Sequence, residues 1–192
     1  MLNSRYPIYL ASKSPRRREM LKIMGITHKT LSISTEEKIY AKKTPLYNVK
    51  RIADDKCEAA LKKVKEGIII TADTIVVIEN KIIGKPKDRD DAKRILKLLS
   101  NNIHFVYTAF CVCNKTKNIK ITGYEKTKVF FRKLEEKEIE EYILTGSPFD
   151  KAGAYGIQDD YGAVFVKKII GCYYNVLGFP ASKIYDALKK VI

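Results

Sequence analysis

The sequence lacks the features that define several large classes of protein. Of its 192 residues, none is tryptophan and two are histidine. Because His28 and His104 stand alone, neither a histidine-based zinc site nor a Ser-His-Asp triad is expected. No apolar run reaches the roughly 18 residues of a membrane span, and the N-terminus has no basic-then-apolar signal peptide. The cytoplasm is therefore the expected location, with no membrane partner.

Cysteine is also scarce, and its spacing indicates no site. The four cysteines form no metal-binding or redox pair, and two of them alternate along a predicted strand: Cys57, Cys111, Cys113 and Cys172. We expect reduced structural thiols.

Negative charge is in short supply. The chain has 37 lysines and arginines against 22 aspartates and glutamates, a net charge of +15. The lysines are scattered along the whole length and interleaved with acidic residues, and no stretch joins basic and aromatic residues into a ribbon for nucleic acid. This pattern is a weak indication of anionic partners, and nucleic acid is not expected among them.

A strand, a short loop and a helix start follow one another near the N-terminus. Residues 8–10 are predicted to form a short buried strand. Ser14 and Pro15 then begin a helix, because serine caps free backbone amides and proline is tolerated in the first turn. Arginines occupy that turn, where the helix dipole disfavours positive charge unless an anion binds to the free amides. Residues 12–17 are therefore predicted to bind phosphate, with a solvated basic helix start as the alternative.

Two charged residues lie where apolar residues are expected. A helix beginning at Thr44 and Pro45 has an apolar face, and Lys56 falls inside it, so this lysine either extends to solvent or faces an internal cleft. Asp73 lies in the middle of the apolar run 67–78, which predicts one core strand or two collinear ones. Because burying an unpaired carboxylate costs several kcal/mol, Asp73 is expected to be ion-paired, metal-bound or at a cleft opening. The alternative is a turn cap between two strands.

The rest of the chain mixes strands with helices. Lys85 follows a second apolar segment that is predicted to be buried. Residues 147–158 fit no periodic secondary structure, which predicts a shaped binding loop. A half-buried strand is predicted from Leu31 to the acidic pair Glu36 and Glu37, further strands at 105–113 and 161–170, and a partner strand that ends at 129–131. Further helices are predicted at 88–99, at 134–144 and after Pro180. This mixture favours an α/β fold with a mixed sheet and no separable linker.

Several blocks of the sequence together resemble one protein family. They are Leu10-Ala-Ser-Lys-Ser-Pro-Arg-Arg, the spacing from Glu37 to Lys56, Ala72-Asp73-Thr74, Gly84-Lys85-Pro86, the block 171–180 and Gly-Ser-Pro-Phe-Asp-Lys-Ala-Gly-Ala-Tyr-Gly-Ile-Gln ending at Gln158. On these blocks the chain resembles the Maf nucleotide pyrophosphatases over essentially its whole length. The resemblance implies a single Maf-like domain over residues 1–192, with an α/β fold whose mixed twisted sheet forms two lobes around a deep cleft. That fold is related to the inosine-triphosphate pyrophosphatases (Maf/Ham1-like).

The resemblance also implies an activity. Such proteins hydrolyse the α–β phosphoanhydride of nucleoside triphosphates to the monophosphate and pyrophosphate, a house-cleaning reaction that needs a divalent metal, Mg²⁺ or alternatively Mn²⁺. They often form homodimers. The residues at the base-selecting positions are similar to those of the branch acting on dTTP and UTP, with modified pyrimidine nucleotides as further substrates.

Site residues are implied position by position. By resemblance, Asp73 is the catalytic carboxylate that activates water, and Glu37 is its acidic partner in metal binding. The residues implied in substrate and phosphate binding are Ser12, Arg16, Arg17, Lys56 and Lys85. The residues implied in the choice of base are Arg16, Thr74 and Gln158.

Two other functions stay open. The family is linked to cell-division arrest and septum formation, so one alternative is a regulatory protein that binds nucleotides or nucleic acid. The other is a pyrophosphatase directed at 7-methyl-GTP or inosine-type nucleotides.

Overall fold

The structure, a computed structural model, describes residues 2 and 4–192 of the chain. Strands and helices are mixed along this part of the sequence. The strands are β1 (Ile8–Leu10), β2 (Lys29–Thr30), β3 (Ile68–Ile78), β4 (Lys81–Ile83), β5 (Ile103–Asn114), β6 (Ile119–Phe131) and β7 (Val166–Ile170). The helices are α1 (Pro15–Ile23), α2 (Pro45–Leu61), α3 (Arg89–Leu99), α4 (Glu136–Leu144), α5 (Asp160–Phe165), α6 (Tyr173–Val176) and α7 (Ala181–Val191), with 3₁₀ turns at Ser147–Asp150 and Ala152–Ala154.

The described strands form one mixed sheet. Their order is β2-β1-β3-β5-β6-β7, and β4 pairs with β3 outside this path. Strand β1 is parallel to both β2 and β3, whereas the β3–β4 and β6–β7 pairs are antiparallel. The expected α/β fold with a mixed sheet is therefore confirmed.

Local sequence signals determine where the elements begin and turn. Ser14, Thr44 and Asp88 each accept a hydrogen bond from the backbone N–H three residues further on, which caps α1, α2 and α3 as predicted. Strands β3 and β4 are joined by Glu79 and Asn80, whose φ angles of 49° and 61° belong to a type I′ hairpin turn.

The chain divides into two compact units. Unit 1 comprises Met1–Asp73, Thr108–Glu125 and Gly178–Ile192, and unit 2 comprises Thr74–Tyr107 and Lys126–Leu177.

Unit 1 contains a core of small residues between α2 and the sheet. Ile69 of β3 packs there with Cys57 of α2 and with Cys111 and Cys113 of β5. The cysteines are free thiols, as expected.

Unit 2 contains a core between its helices and its side of the sheet. His104 is fully buried there, with Nε2 2.8 Å from the Tyr155 hydroxyl oxygen and its ring 5.0 Å from that of Phe131. Burial lowers the pKa of His104 to about 3. This histidine is therefore a neutral core residue.

Two predicted strands differ from the structure. Residues 31–33 lie beyond the end of β2, although Leu31 and Ile33 still pack on the core of unit 1. The Leu31 N–H still donates to the Leu10 carbonyl at 2.9 Å, so pairing with β1 ends there, and the alternation at Ile33 reports burial alone. Residues 161–165 belong to helix α5, and the strand begins only at Val166. The helix places Tyr161 and Phe165, four residues apart, with ring centroids 6.4 Å from each other, which is the spacing of side chains one helical turn apart.

Among the described residues, no helix combines the length and the apolar character needed to cross a bilayer.

Candidate active site

The two charged residues that interrupt apolar segments lie together in unit 1. Lys56 Nζ is 2.7 Å from Asp73 Oδ1 and 2.7 Å from Glu37 Oε1. Asp73 is 7% exposed, whereas Glu37 is at the surface. The prediction that Asp73 is ion-paired is confirmed. The alternative of a turn between two strands is wrong, because β3 continues unbroken past Asp73.

A buried hydrogen bond aligns α2 with β3. Thr71 Oγ1 donates to the Ala53 carbonyl oxygen at 2.8 Å. Thr71 and Asp73 are two residues apart and share one face of the strand. Ala53 and Lys56 are three residues apart and are neighbours on the helix surface. The contact at Thr71 therefore fixes the register that brings Lys56 to Asp73.

Burial determines the proton affinity of Asp73. It raises the pKa of this carboxyl above its ordinary value, and the charges of Lys56 and Arg17 oppose the rise without cancelling it. A carboxylate with a raised pKa is a stronger proton acceptor than an ordinary aspartate, which suits a general base near neutral pH. Shifted carboxyl groups of this kind concentrate at functional sites.

The loop between β1 and α1 is braced by Arg17. Arg17 Nε donates to the Gly178 carbonyl at 2.9 Å, and Nη1 donates to the Ala72 carbonyl at 2.7 Å and to Ser12 Oγ at 3.2 Å. Ser12 Oγ also accepts the backbone N–H of Ser14 at 3.2 Å. The predicted strand–loop–helix unit is confirmed, and Arg17 ties its loop to two other segments of unit 1.

Cations slightly outnumber carboxylates around this loop. Burial lowers the pKa of the Arg17 guanidinium, Asp73 and Glu37 oppose that effect, and Arg16 adds to it. Three cationic side chains, counting Lys56, thus accompany two carboxylates. An excess of positive charge beside the positive end of a helix dipole attracts an anion.

Sequence reasoning missed the residues that hold the segment containing Glu37. Asn48, fully buried in α2, accepts the Tyr40 N–H at 2.8 Å and donates to the Tyr40 carbonyl at 3.1 Å. The Arg51 guanidinium lies 4.8 Å above the Tyr40 ring and donates to the Lys38 carbonyl. An amide on the apolar face of the predicted helix is the signal that could have found this anchor, because buried amides need partners.

Glu37 and Asp73 could together hold a metal ion. Their oxygens contact the same ammonium group, so they are at most twice that contact distance apart. Mg²⁺ takes one or two carboxylates and completes its shell with water and substrate phosphates, and this pair of donors fits that preference. Within the described residues, no cluster of three or more His, Cys, Asp or Glu side chains is arranged to hold an ion.

Three of the predicted site residues belong to unit 2. Lys85 follows β4, Gln158 precedes α5, and both are exposed. Thr74 follows Asp73 in β3, so its side chain lies on the other face of the strand. Their roles in binding phosphate and choosing a base stay predictions.

The predicted binding loop, residues 147–158, is largely buried within unit 2. Lys151 Nζ lies 2.7 Å from Asp150 Oδ1 and 2.9 Å from Asp159 Oδ2. Asp159 directly follows Gln158, so this lysine fixes the backbone that presents Gln158 to solvent. Sequence reasoning did not assign Lys151.

Comparison with known proteins finds one matching family and several relatives that share one name. The family model described as Maf-like protein matches residues 7–191. A dTTP/UTP pyrophosphatase of Thermoanaerobacter sp. (strain X514) is 48% identical and covers 95% of this chain and 95% of its own length. The protein of that name from Carboxydothermus hydrogenoformans is 43% identical, with 95% and 97% covered. The one from Geotalea uraniireducens is 44% identical, with 100% and 98% covered.

Among solved structures, a nucleoside-triphosphatase / dITP/XTP pyrophosphatase from Mycobacterium abscessus is 11% identical. It covers 65% of this chain and 72% of its own length with a TM-score of 0.39, a likeness too weak to support an argument.

Proposed function

The chain belongs to the Maf-like protein family, and we propose that it is a nucleoside triphosphate pyrophosphatase that acts on dTTP and UTP. The reaction is hydrolysis of the α–β phosphoanhydride, which releases the monophosphate and pyrophosphate. Modified pyrimidine triphosphates are further substrates, and removing them is a house-cleaning role. The main support is the buried Asp73 carboxylate, with its raised pKa and its contact with Lys56 at 2.7 Å.

The relatives support the choice of substrate. The relatives from Thermoanaerobacter and Carboxydothermus are both named dTTP/UTP pyrophosphatase. Their sequences are 48% and 43% identical to this one over alignments that cover 95% of this chain. Identity at this level over nearly the whole length favours the same reaction and the same base preference here.

Asp73 acts as the general base. It accepts a proton from the water that attacks the α-phosphorus, a role worth about 10²–10⁴ in rate. Lys56 holds the carboxylate in place and keeps part of it ionised despite burial. Thr71 supports this pair by fixing α2 on β3.

Positive groups stabilise the triphosphate and the leaving pyrophosphate. Arg16 and the positive end of the α1 dipole bind phosphate oxygens. Lys85 is assigned the same role from the family pattern. Arg17 acts by holding Ser12 and the loop in shape. A Mg²⁺ or Mn²⁺ ion held by Glu37 and Asp73 would neutralise charge on the phosphates.

Gln158 contributes to the choice of base, together with Arg16 and Thr74. Its amide presents one donor group and one acceptor group, which can pair with the edge of a pyrimidine. A lysine or arginine at this position would offer donors alone.

The test is pyrophosphate release from a panel of dTTP, UTP, CTP, GTP, ITP and 7-methyl-GTP, with and without Mg²⁺. We expect dTTP and UTP to be hydrolysed fastest and only with the metal. Asp73→Asn should lower turnover by about 10²–10⁴-fold with an unchanged circular dichroism spectrum. Asp186→Asn, at an exposed carboxylate of α7, is the matched control and should leave turnover unchanged.

Each alternative has its own result in this panel. Near-normal turnover in Asp73→Asn would reject Asp73 as the base. Faster hydrolysis of ITP or 7-methyl-GTP would replace the pyrimidine assignment. Nucleotide binding without turnover of any substrate would favour a regulatory protein.

A further inference from the structure

The sheet in unit 2 has one side on the core and one side partly open to solvent. His104 and Val106 of β5, and Thr127 and Val129 of β6, are buried. Because side chains alternate along a strand, the residues between them point to the opposite side. That side, here called the lysine–aromatic face, consists of Ile103, Phe105, Tyr107, Lys126, Lys128, Phe130, Lys168 and Ile170.

Strand pairing makes the lysine–aromatic face continuous. Strands β5, β6 and β7 are neighbours in the sheet. Across the last pair, Lys128 is opposite Ile170 and Phe130 is opposite Lys168. Directly opposed residues share a face of the sheet, so three segments that are distant in sequence form one surface.

Each ammonium group on this face adjoins an aromatic ring. Lys126 Nζ is 4.1 Å from the ring centroid of Phe105 and 5.3 Å from that of Tyr107. The Nζ atoms of Lys128 and Lys168 are 5.1 Å and 5.8 Å from the Phe130 centroid. These are cation–π distances, and they place positive charge and flat apolar surface in one layer.

Composition and exposure indicate a binding surface for an anion. Among the eight described positions of this face, three are lysine and none is acidic. Ile103 and Ile170 are 40% and 53% exposed, and exposed apolar groups beside charged ones are typical of interaction sites.

We propose that the lysine–aromatic face binds single-stranded nucleic acid. Residues two apart on a strand are about 6.8 Å apart, so successive rings can stack successive unpaired bases while the ammonium groups meet the phosphates. A lipid surface would satisfy the lysines but offers the rings no stacking partner, and a duplex keeps its bases stacked on each other.

The proposed surface belongs to unit 2, and the proposal goes beyond the hydrolysis proposed above. No nucleic-acid partner is expected from the sequence, although Lys126, Lys128 and Phe130 alternate along the single strand β6. The sheet assembles such a surface from three segments, so the proposal departs from that expectation.

The experiment measures binding of a fluorescent oligothymidylate to the full chain by anisotropy across a salt series. The double variant Lys126→Gln/Lys168→Gln loses two phosphate contacts. The slope of log binding constant against log salt concentration should therefore become less steep by about 1.4, which corresponds to about 25-fold weaker binding at about 0.1 M salt. Phe130→Leu keeps the charge and an apolar side chain, so it should weaken binding about fivefold with the slope unchanged. Lys189→Gln/Lys190→Gln, at two exposed lysines of α7, removes the same charge elsewhere.

The proposal stands if the first two changes weaken binding, the α7 pair does not, and Asp73→Asn still binds. Pyrophosphate release should be unchanged in the Lys126/Lys168 variant, which also reports its folding. Equal losses in both lysine pairs would show diffuse attraction and overturn the proposal. Equal affinity for a duplex, absence of oligonucleotide binding, or binding only to vesicles that contain phosphatidylserine would overturn it as well.

Discussion

Each unit contains a nearly buried lysine between two carboxylates. Lys56 of unit 1 and Lys151 of unit 2 have side chains that are 12% and 8% exposed. The partners of Lys56 come from distant segments, since Glu37 precedes α2 and Asp73 lies in β3. Asp73 is itself buried, and burial raises its pKa. This lysine therefore stabilises a carboxylate that the interior disfavours.

The partners of Lys151 are local. Its Nζ contacts Asp150 at 2.7 Å, Asp159 at 2.9 Å, and the carbonyl and hydroxyl oxygens of Ser147 at 2.6 Å and 3.1 Å. These oxygen atoms occupy all three hydrogens of the Lys151 ammonium group. Burial lowers the pKa of Lys151, but the hydrogen bonds to the two carboxylates outweigh it and leave the pKa raised. The two pairs therefore differ in the burial of the carboxylate more than in the burial of the lysine, and only the pair with the buried carboxylate is proposed to react.

The largest effect is expected from Lys56→Met. Turnover should fall about 10²–10³-fold, and the acid limb of the pH–rate profile should move to higher pH. The reason is that the charge of Lys56 opposes the rise that burial causes in the pKa of Asp73. The measurement is kcat/KM over a range of pH, with Lys151→Met as the matched variant whose acid limb stays in place. An unmoved acid limb in Lys56→Met would contradict the role of Asp73 as the base.

Lys151→Met should act mainly on stability. The free energy of unfolding should fall by about 2 kcal/mol, because Ser147 and two carboxylates lose their donor. The loss is smaller than for a fully buried pair, since Asp150 is 54% exposed. Urea denaturation measures it, and Lys137→Met, at a lysine of α4 that is 84% exposed, serves as control. A loss no larger than that of the control would refute the structural role.

Unit 2 should also respond to acid through His104. Its pKa of about 3 in the folded chain lies below the ordinary value of about 6.5, so the unfolded chain takes the proton first. Stability should therefore fall as pH drops, by about 1 kcal/mol between pH 7 and about 5.5. His104→Gln should remove this part of the pH dependence in denaturation curves, and His28→Gln should keep it. Parallel curves for wild type and His104→Gln would rule the mechanism out.

The smallest effects are expected at two helix caps, one in each unit. Ser14→Ala in α1 and Asp88→Ala in α3 should each lower the free energy of unfolding by about 0.5–1 kcal/mol. Only Ser14→Ala should also raise KM for the triphosphate, because the positive end of the α1 dipole is proposed to meet phosphate. Thermal denaturation and steady-state kinetics of both variants test this, and equal KM values would remove α1 from the binding site.

The site could be predicted in part because solvation penalties act on single residues. A carboxylate inside an apolar strand, or a lysine inside an apolar helical face, is visible in the sequence before any contact is known. For this reason the sequence singles out Asp73 and Lys56, which the structure pairs at 2.7 Å, and their roles in catalysis stay predictions. Capping residues and apolar periodicity are equally local, which explains the correct starts of α1, α2 and α3.

The features that were missed depend on which segments meet. Asn48 is visible as an amide on an apolar helical face, but its partner is known only once the backbone of Tyr40 folds back onto it. Tyr161 and Phe165 belong to a helix because of the aromatic core around them, although their segment has strand-like composition. The alternation of Lys126, Lys128 and Phe130 is visible along β6, but the complete lysine–aromatic face exists only after three strands pair.

The brace formed by Arg17 has a consequence for synthesis. Arg17 Nε bonds to the carbonyl of Gly178, which lies 161 residues further along the chain. The ribosome synthesises the loop between β1 and α1, with Arg17, long before it synthesises Gly178, whose carbonyl oxygen accepts the hydrogen bond. While the residues between them are synthesised, the nascent polypeptide therefore holds a loop without its full set of contacts. The loop can adopt its final form only after the segment of Gly178 has left the exit tunnel.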